Sequence, residues 1–142
     1  MLVVPDSTSL AVLQALVAAK GLLDGAIVHL FQVDITPTRD TTLTELTDAE
    51  ADFTGYAASA AVVWGDPYYA ESGQPYVPGD LKTFTVGAGP VTPNVIYGYY
   101  VTNDGATELL WSERYASPKS MVTTGQALQQ LPVFGAVSQA GG

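Results

Sequence analysis

Apolar and polar positions alternate most clearly from Val95 to Tyr115, VIYGYYVTNDGATELLWSERY. Two runs rich in β-branched and aromatic residues flank Asn103, Asp104 and Gly105, which predicts one long β-hairpin with the rest of the chain packed around it. Loop length sets its register. A two-residue turn at Asp104-Gly105 puts Gly98 opposite Trp111 and places Tyr97 and Tyr99 on one face with Glu108, Ser112 and Arg114. A three-residue loop with Gly105 left-handed instead gathers Val95, Tyr97, Tyr99 and Val101 with Thr107, Leu109 and Trp111. The second register is favoured because it collects the large rings on one side. Its other face then carries Ile96, Tyr100 and Leu110 among Gly98, Glu108, Ser112 and Arg114, so the hairpin is apolar on both sides and needs a second contact.

Upstream, MLVVP reads as an extended arm, and Asp6, Ser7 and Ser9 offer caps for a short helix over LAVLQALVAAK. Leu10, Leu13, Leu16 and Val17 recur there at helical spacing. Ala26 to Val33 predicts a central strand, apolar on both faces, with His29 as its one anomaly. The Thr-rich and acidic segment 34–56 opposes strand formation; the patterns Thr42–Glu45 and Thr47–Glu50 are capping boxes and predict helical turns with Leu43, Leu46 and Phe53 inward. Tyr56 to Trp64 reads as a strand of small residues, and 65–80 as a long loop punctuated by proline and glycine. Leu81 to Val86 and Ala127 to Ser138 complete the strands, with Pro132 marking an edge or bulge and Ser117-Pro118 ending the hairpin. The sum is a mainly β chain, an antiparallel β-sandwich of jelly-roll-like type, in a single domain spanning residues 1–142.

Composition changes this picture in one respect. A chain of 142 residues buries about two-thirds of its unfolded surface, enough for a core without staples. Hydrophobic residues make up 47% and charged residues only 13%, which excludes a disordered chain and points to a surface built for assembly or a neutral Thr, Ser and Gln-rich one. The net charge is −9, and the five bases Lys20, Arg39, Lys82, Arg114 and Lys119 are scattered, so no nucleic-acid or anionic-membrane partner is expected. The opening MLVVPDSTSLAVLQALVAAKG lacks a basic leader and is interrupted by Pro5, Asp6 and Lys20, which predicts neither a signal peptide nor a membrane span.

Candidate chemistry is sparse. With no cysteine there is no disulfide or thiol nucleophile, and HExxH, GxSxG, P-loop and GxGxxG motifs are all missing. His29 in an apolar strand reads as a hydrogen-bonded core residue. The acids Asp34, Asp40, Glu45, Asp48, Glu50 and Asp52 suit helix capping and solubility better than a calcium loop, because no EF-hand glycine or terminal bidentate Glu is placed among them. No catalytic residue, metal or cofactor is therefore expected. Tyr68, Tyr69 and Tyr76 stand out as rings in a loop, able to meet a partner or stack on sugars.

With the strands placed, the chain resembles a group of small structural proteins of tailed bacteriophages. The stretches that carry the resemblance are LVVPDSTSLAVLQAL, VHLFQVDITPTRDTTLTELTDAEADFTGYA, VIYGYYVTNDGATELLWSERY and LPVFGAVS, in that order over nearly the whole length. The resemblance implies a non-enzymatic virion component, a capsid decoration (cement) protein on the capsid surface that stabilises the shell of the major capsid protein, as a homotrimer. A tail, adaptor or fibre-associated role, or a surface glycan-binding module, is the alternative. The expected partner contacts are Met1, Leu2, Val3 and Val4 in the arm, Tyr68, Tyr69 and Tyr76 in the loop, and Ile96, Tyr100 and Leu110 on the second hairpin face.

Overall fold

The computed structural model describes residues 23–58, 62–66, 68–69 and 75–135. The N-terminal arm and helix expected over 1–20, and the last residues of the expected closing strand, lie outside the described residues. The described chain is mainly β, in the order β1 (Ile27–Phe31), α1 (Leu43–Asp48), β2 (Tyr68–Tyr69), β3 (Pro75–Pro78), β4 (Lys82–Thr85), β5 (Asn94–Thr102), β6 (Leu109–Met121), β7 (Ala127–Gln130) and β8 (Val133–Gly135). These form three small antiparallel sheets with strand orders β1-β5-β6, β2-β3-β8 and β4-β7.

The hairpin is the largest element, as expected, and its register differs in three places. First, the loop runs from Asn103 to Glu108, and Ala106 rather than Gly105 takes the left-handed conformation, at φ 54°. The reason is Asn103: its Oδ1 accepts from the backbone N–H groups of Thr107 (2.8 Å) and Glu108 (3.0 Å), which ties the loop around an amide. Second, a bulge leaves Leu110 between the pairs Val101↔Trp111 and Thr102↔Leu109. Third, Ser117-Pro118 does not end the hairpin. Gly98 pairs Arg114 and Ile96 pairs Lys119, so Tyr115 to Pro118 oppose Tyr97 alone, and Pro118 sits where no ladder bond needs its missing N–H.

The second and third irregularities move side chains between faces. Tyr99, Val101 and Trp111 share the main core as expected, but Ile96 joins them there, while Tyr97 and Leu109 pack with Tyr100 on the other side. Each face therefore carries its own cluster. The main core lies between the β1-β5-β6 sheet and the β4-β7 pair and draws on Val28, Leu30, Phe84, Met121 and Leu128; the second joins Phe31 and Tyr100 to Leu46 and Ala49.

The helix forms where the first capping box predicts. Thr42 Oγ1 accepts from Glu45 N–H (3.2 Å), Glu45 Oε2 accepts from Thr42 N–H (3.3 Å), and Leu46 is fully buried, with Phe53 inward and Leu43 partly so. The second box opens no helix, because its Glu50 is used elsewhere. Tyr56 to Trp64 is not a strand in its described residues. Gly55 turns the chain at φ 86°, the Tyr56 hydroxyl accepts from Leu30 N–H (3.1 Å), and Trp64 makes only an isolated bridge to Gly79. A run of small residues lacks the branched side chains that favour a strand, and one anchored ring fixes it instead. The expected 65–80 loop contains β2 and β3, with Pro75 first and Pro78 last in β3. The closing strand is broken into β7 and β8 at Leu131-Pro132, and the Pro132 carbonyl accepts from Gly79 N–H (2.8 Å).

Candidate functional site

β1 alternates in and out of the main core: Val28 and Leu30 enter it, and His29 and Phe31 point to the opposite face. The outer edge of β1 is covered by residues 49–51. Gln32 N–H donates to the Ala49 carbonyl (2.8 Å), Ala51 N–H donates to the Leu30 carbonyl (2.9 Å), and Phe31 bridges Glu50. That pairing delivers the Glu50 carboxylate to His29.

The result is a polar cluster within an apolar face. His29 is 7% exposed and Thr102 fully buried. Glu50 Oε1 lies 2.5 Å from His29 Nδ1 and accepts from the Tyr100 hydroxyl at 2.9 Å. The imidazole stacks on the Tyr100 ring, centroids 4.5 Å apart and planes 5° from parallel. His29 Nε2 is 2.9 Å from Thr102 Oγ1, which is 3.2 Å from the Asn103 carbonyl. A carboxylate accepts, so Nδ1 carries a proton. If Nε2 carries one as well, Thr102 accepts from the ring and donates to Asn103; a neutral ring leaves one of those two acceptors without the single Thr102 proton.

Electrostatics follow these contacts. Burial pushes the Glu50 carboxyl up, but hydrogen bonds from His29 and Tyr100 and the charge of His29 outweigh it and hold Glu50 below its ordinary value. Burial, reinforced by that carboxylate, raises the Tyr100 phenol well above its usual range. Tyr56 is raised for the same first reason.

The order carboxylate, imidazole, hydroxyl is also that of a nucleophilic relay. Here the hydroxyl has no exposed surface, so no substrate reaches Thr102 Oγ1. What the arrangement does is fasten four pieces of backbone together: β1, the 49–51 edge, β5 and the start of the hairpin loop. His29 is the hydrogen-bonded core residue that its apolar strand predicts, whereas its partners Glu50 and Thr102 are not among the sequence expectations. The available signal was the histidine itself, since a ring in an apolar strand needs two polar neighbours.

The expected contact residues are dispersed. Ile96 (fully buried) and Tyr100 (1% exposed) lie in the two cores and present no surface to a partner, because the bulge and the covering helix turn both faces of β5 inward. Leu110 is partly buried against the main core. Backbone register sets Tyr68 opposite Tyr76 and Tyr69 opposite Pro75, and Tyr76 is half-buried. Met1, Leu2, Val3 and Val4 lie outside the described residues.

Four of the acids of 34–52 serve separate structural ends, and capping is only one of them. Asp34 pairs with Arg114, Glu45 caps α1, Glu50 holds His29, and Asp52 Oδ1 accepts from Gln32 (3.0 Å) and Asn94 (2.9 Å) side-chain amides. Among the described residues no group of three or more His, Asp or Glu side chains is gathered to hold a metal ion. Nor does any described helix have the length and apolarity to cross a membrane.

Among the described residues, two shallow grooves run along β6. One, of about 450 Å³, runs between the 37–41 connection and Leu109 to Ser112; the other, of about 390 Å³, lies between Pro118 to Met121 and Gln126 to Gln129. Large apolar side chains are also exposed: Val33, Val63, Leu81, Val95, Val122 and Leu131, at 38–68%. Leu81 and Leu131 flank the Lys82↔Gln130 pair at one end of the β4-β7 sheet. No family model, curated protein or solved structure matches this chain.

Proposed function

We propose that the chain is a non-enzymatic structural component of a phage virion: a capsid decoration protein of jelly-roll-like sandwich build that binds and stabilises the major capsid protein shell as a homotrimer. The observation that supports this reading is the direction of its chemistry. The described polar cluster, His29 with Glu50, Tyr100 and Thr102, is turned inward and spent on holding backbone together, while apolar side chains and one long strand edge are turned outward. A cement protein works by adding apolar and hydrogen-bonded contacts across subunit boundaries from a rigid body, and it needs a surface poor in charge to do so. The 13% charged composition and the exposed Val63, Leu81 and Leu131 suit that task.

The test is to add the purified protein to undecorated shells of the accompanying major capsid protein. Saturable binding and a rise in shell melting temperature are expected; neither binding nor a rise overturns the assignment. Light scattering of the free protein checks the trimer.

A further inference from the structure

We propose that the outer edge of β6, with the groove at each end, is a docking site for an extended, carboxylate-bearing segment of a partner protein, captured by strand addition. The inference goes beyond the capsid reading, since it names the recognition chemistry of one edge and holds for whichever partner supplies the segment.

The edge comes first. In the order β1-β5-β6, β6 is paired on one side by β5, and no strand among the described residues pairs with the other. At thirteen residues it is the longest described strand, and Ala116 to Ser120 are exposed. By contrast, the outer edge of β1 is covered by residues 49–51. An open edge displays unpaired N–H and C=O groups, the template that strand addition uses.

Charge then selects the occupant. Four of the five bases lie in the described residues, and Lys82 and Arg114 are ion-paired with Asp80 and Asp34. Arg39 and Lys119 have no carboxylate partner among the described residues, and each lines one of the two grooves. No acid lines either groove in a chain with fourteen of them; Asp40, next to Arg39, is not among the lining residues. Lys119 on β6 and Arg39 across the first groove from that strand, both without a carboxylate partner among the described residues of a −9 chain, complement a segment with carboxylates near both ends. Two cations are too few to neutralise a run of phosphates, so a peptide fits better than a nucleic acid.

The shape of the edge argues against a second copy as the occupant. Tyr115 to Pro118 bulge out of the ladder, and proline and lysine on an edge are devices that oppose copy-to-copy pairing. A second copy would also bring another −9 of charge to the contact. A foreign segment avoids both problems by pairing beside Leu109 to Ser112 and again near Lys119, passing over the bulge.

The probes are two synthetic peptides of about twelve residues, the length an extended strand needs to span the edge. Both alternate Thr and Val; one ends in Glu on both sides and the other in Lys. Backbone NMR of the full chain at low salt follows the binding. The Glu-ended peptide is expected to shift the amides of Leu109–Ser112 and Lys119–Met121 and to bind at least ten-fold more tightly than its Lys-ended twin. The double variant Arg39→Glu, Lys119→Glu changes only exposed positions with no carboxylate partner among the described residues and is expected to reverse that preference. Equal affinity for the two peptides, no binding at millimolar peptide, shifts confined to other strands, or a free protein already dimeric through β6 would each overturn the proposal. Shell binding that survives the double variant also counts against this edge while leaving the capsid assignment intact.

Discussion

Glu50 and Glu113 lie on opposite faces of the same three-stranded sheet, and burial pushes both carboxyls up. Their outcomes are opposite. Glu50 meets an imidazole and a phenol, which outweigh burial and lower it; Glu113 is favoured only by the nearby Tyr99 phenol, which does not outweigh burial, and it stays raised. Glu113 Oε2 is buried without a hydrogen-bond partner among the described residues, and burial pushes the Tyr99 phenol up to about 12. The partner, rather than depth, decides whether a carboxylate supports this sheet or burdens it. One face is fastened by a polar clamp, while the other is held by apolar packing around a poorly served acid.

The largest effect is expected at the residue where both faces meet. A Cβ on Gly98 would lie 2.2 Å from the Glu113 carbonyl oxygen and 2.5 Å from Phe31 Cζ. Backbone blocks it on one side and a core ring on the other, so neither cluster can yield cheaply. Gly98→Ala is expected to cost about 3 kcal/mol or more, read as a fall in the urea midpoint. A variant with the parental midpoint would mean that the adjoining bulge slides to absorb the methyl group, and that the two faces are less tightly coupled than their contacts imply.

Next in size is the same neutralising change made on each face. Glu50→Gln removes a charged acceptor from the His29 N–H and is expected to cost about 2 kcal/mol at neutral pH. Glu113→Gln removes a charge held in a raised, underserved site and is expected to gain up to about 1 kcal/mol at neutral pH. Opposite signs from one substitution, measured by chemical denaturation, are the signature; equal signs would erase the distinction between the faces.

The two carboxyls also give opposite pH dependences. Glu50 is held below the ordinary value of 4.5, so its stabilisation is complete above that value and is lost as pH falls through it towards the lowered one. Glu113 is held above 4.5, so the stability its proton provides is present below that value and is lost as pH rises through the raised one. Glu50→Gln should therefore flatten the acid limb of the stability curve, while Glu113→Gln should flatten a decline that begins on the other side of 4.5. Stability measured in steps from pH 3 to pH 8 would separate them; acid limbs that coincide in all three proteins would remove Glu50 as the acid-sensitive element.

How far the sequence revealed this arrangement depended on the range of the signal. Local chemistry was legible: the hairpin from its flanking β-branched runs, the helix from Thr42 and Glu45, and the buried character of His29 from its apolar neighbours. Two-residue periodicity failed wherever the ladder slips. Nothing in YGYY says that Tyr97 alone faces the four residues Tyr115 to Pro118, yet that slip carries Ile96 into the main core and Tyr97 out of it. The site was the least legible part. Glu50 sits in a capping pattern as good as the one used, and only the tertiary pairing of 49–51 with β1 sends its carboxylate to a histidine 21 residues away. The β6 edge is likewise a property of sheet order, which no local pattern encodes.

The mildest perturbation tests whether the polar clamp and its covering helix act as one unit. Thr42 and Glu45 exchange two hydrogen bonds at the start of α1, on the exposed side of the second cluster. A six-residue helix has no stability of its own in water, so α1 depends on that cap and on Leu46 packing beneath it. Thr42→Ala is expected to cost about 1 kcal/mol. The loss should be local. Amide exchange is expected to quicken at Leu46, Ala49 and Ala51, whose N–H groups bond to Thr42, Leu46 and Leu30, and to stay unchanged at Tyr99 and Val101 in the main core. Because residues 49–51 also carry Glu50 to His29, loosening them should weaken the clamp without touching it, and the acid sensitivity of Thr42→Ala should move towards that of Glu50→Gln. Uniform acceleration across both faces would show instead that the helix and the sheet open only together, and that the two faces are a single cooperative unit.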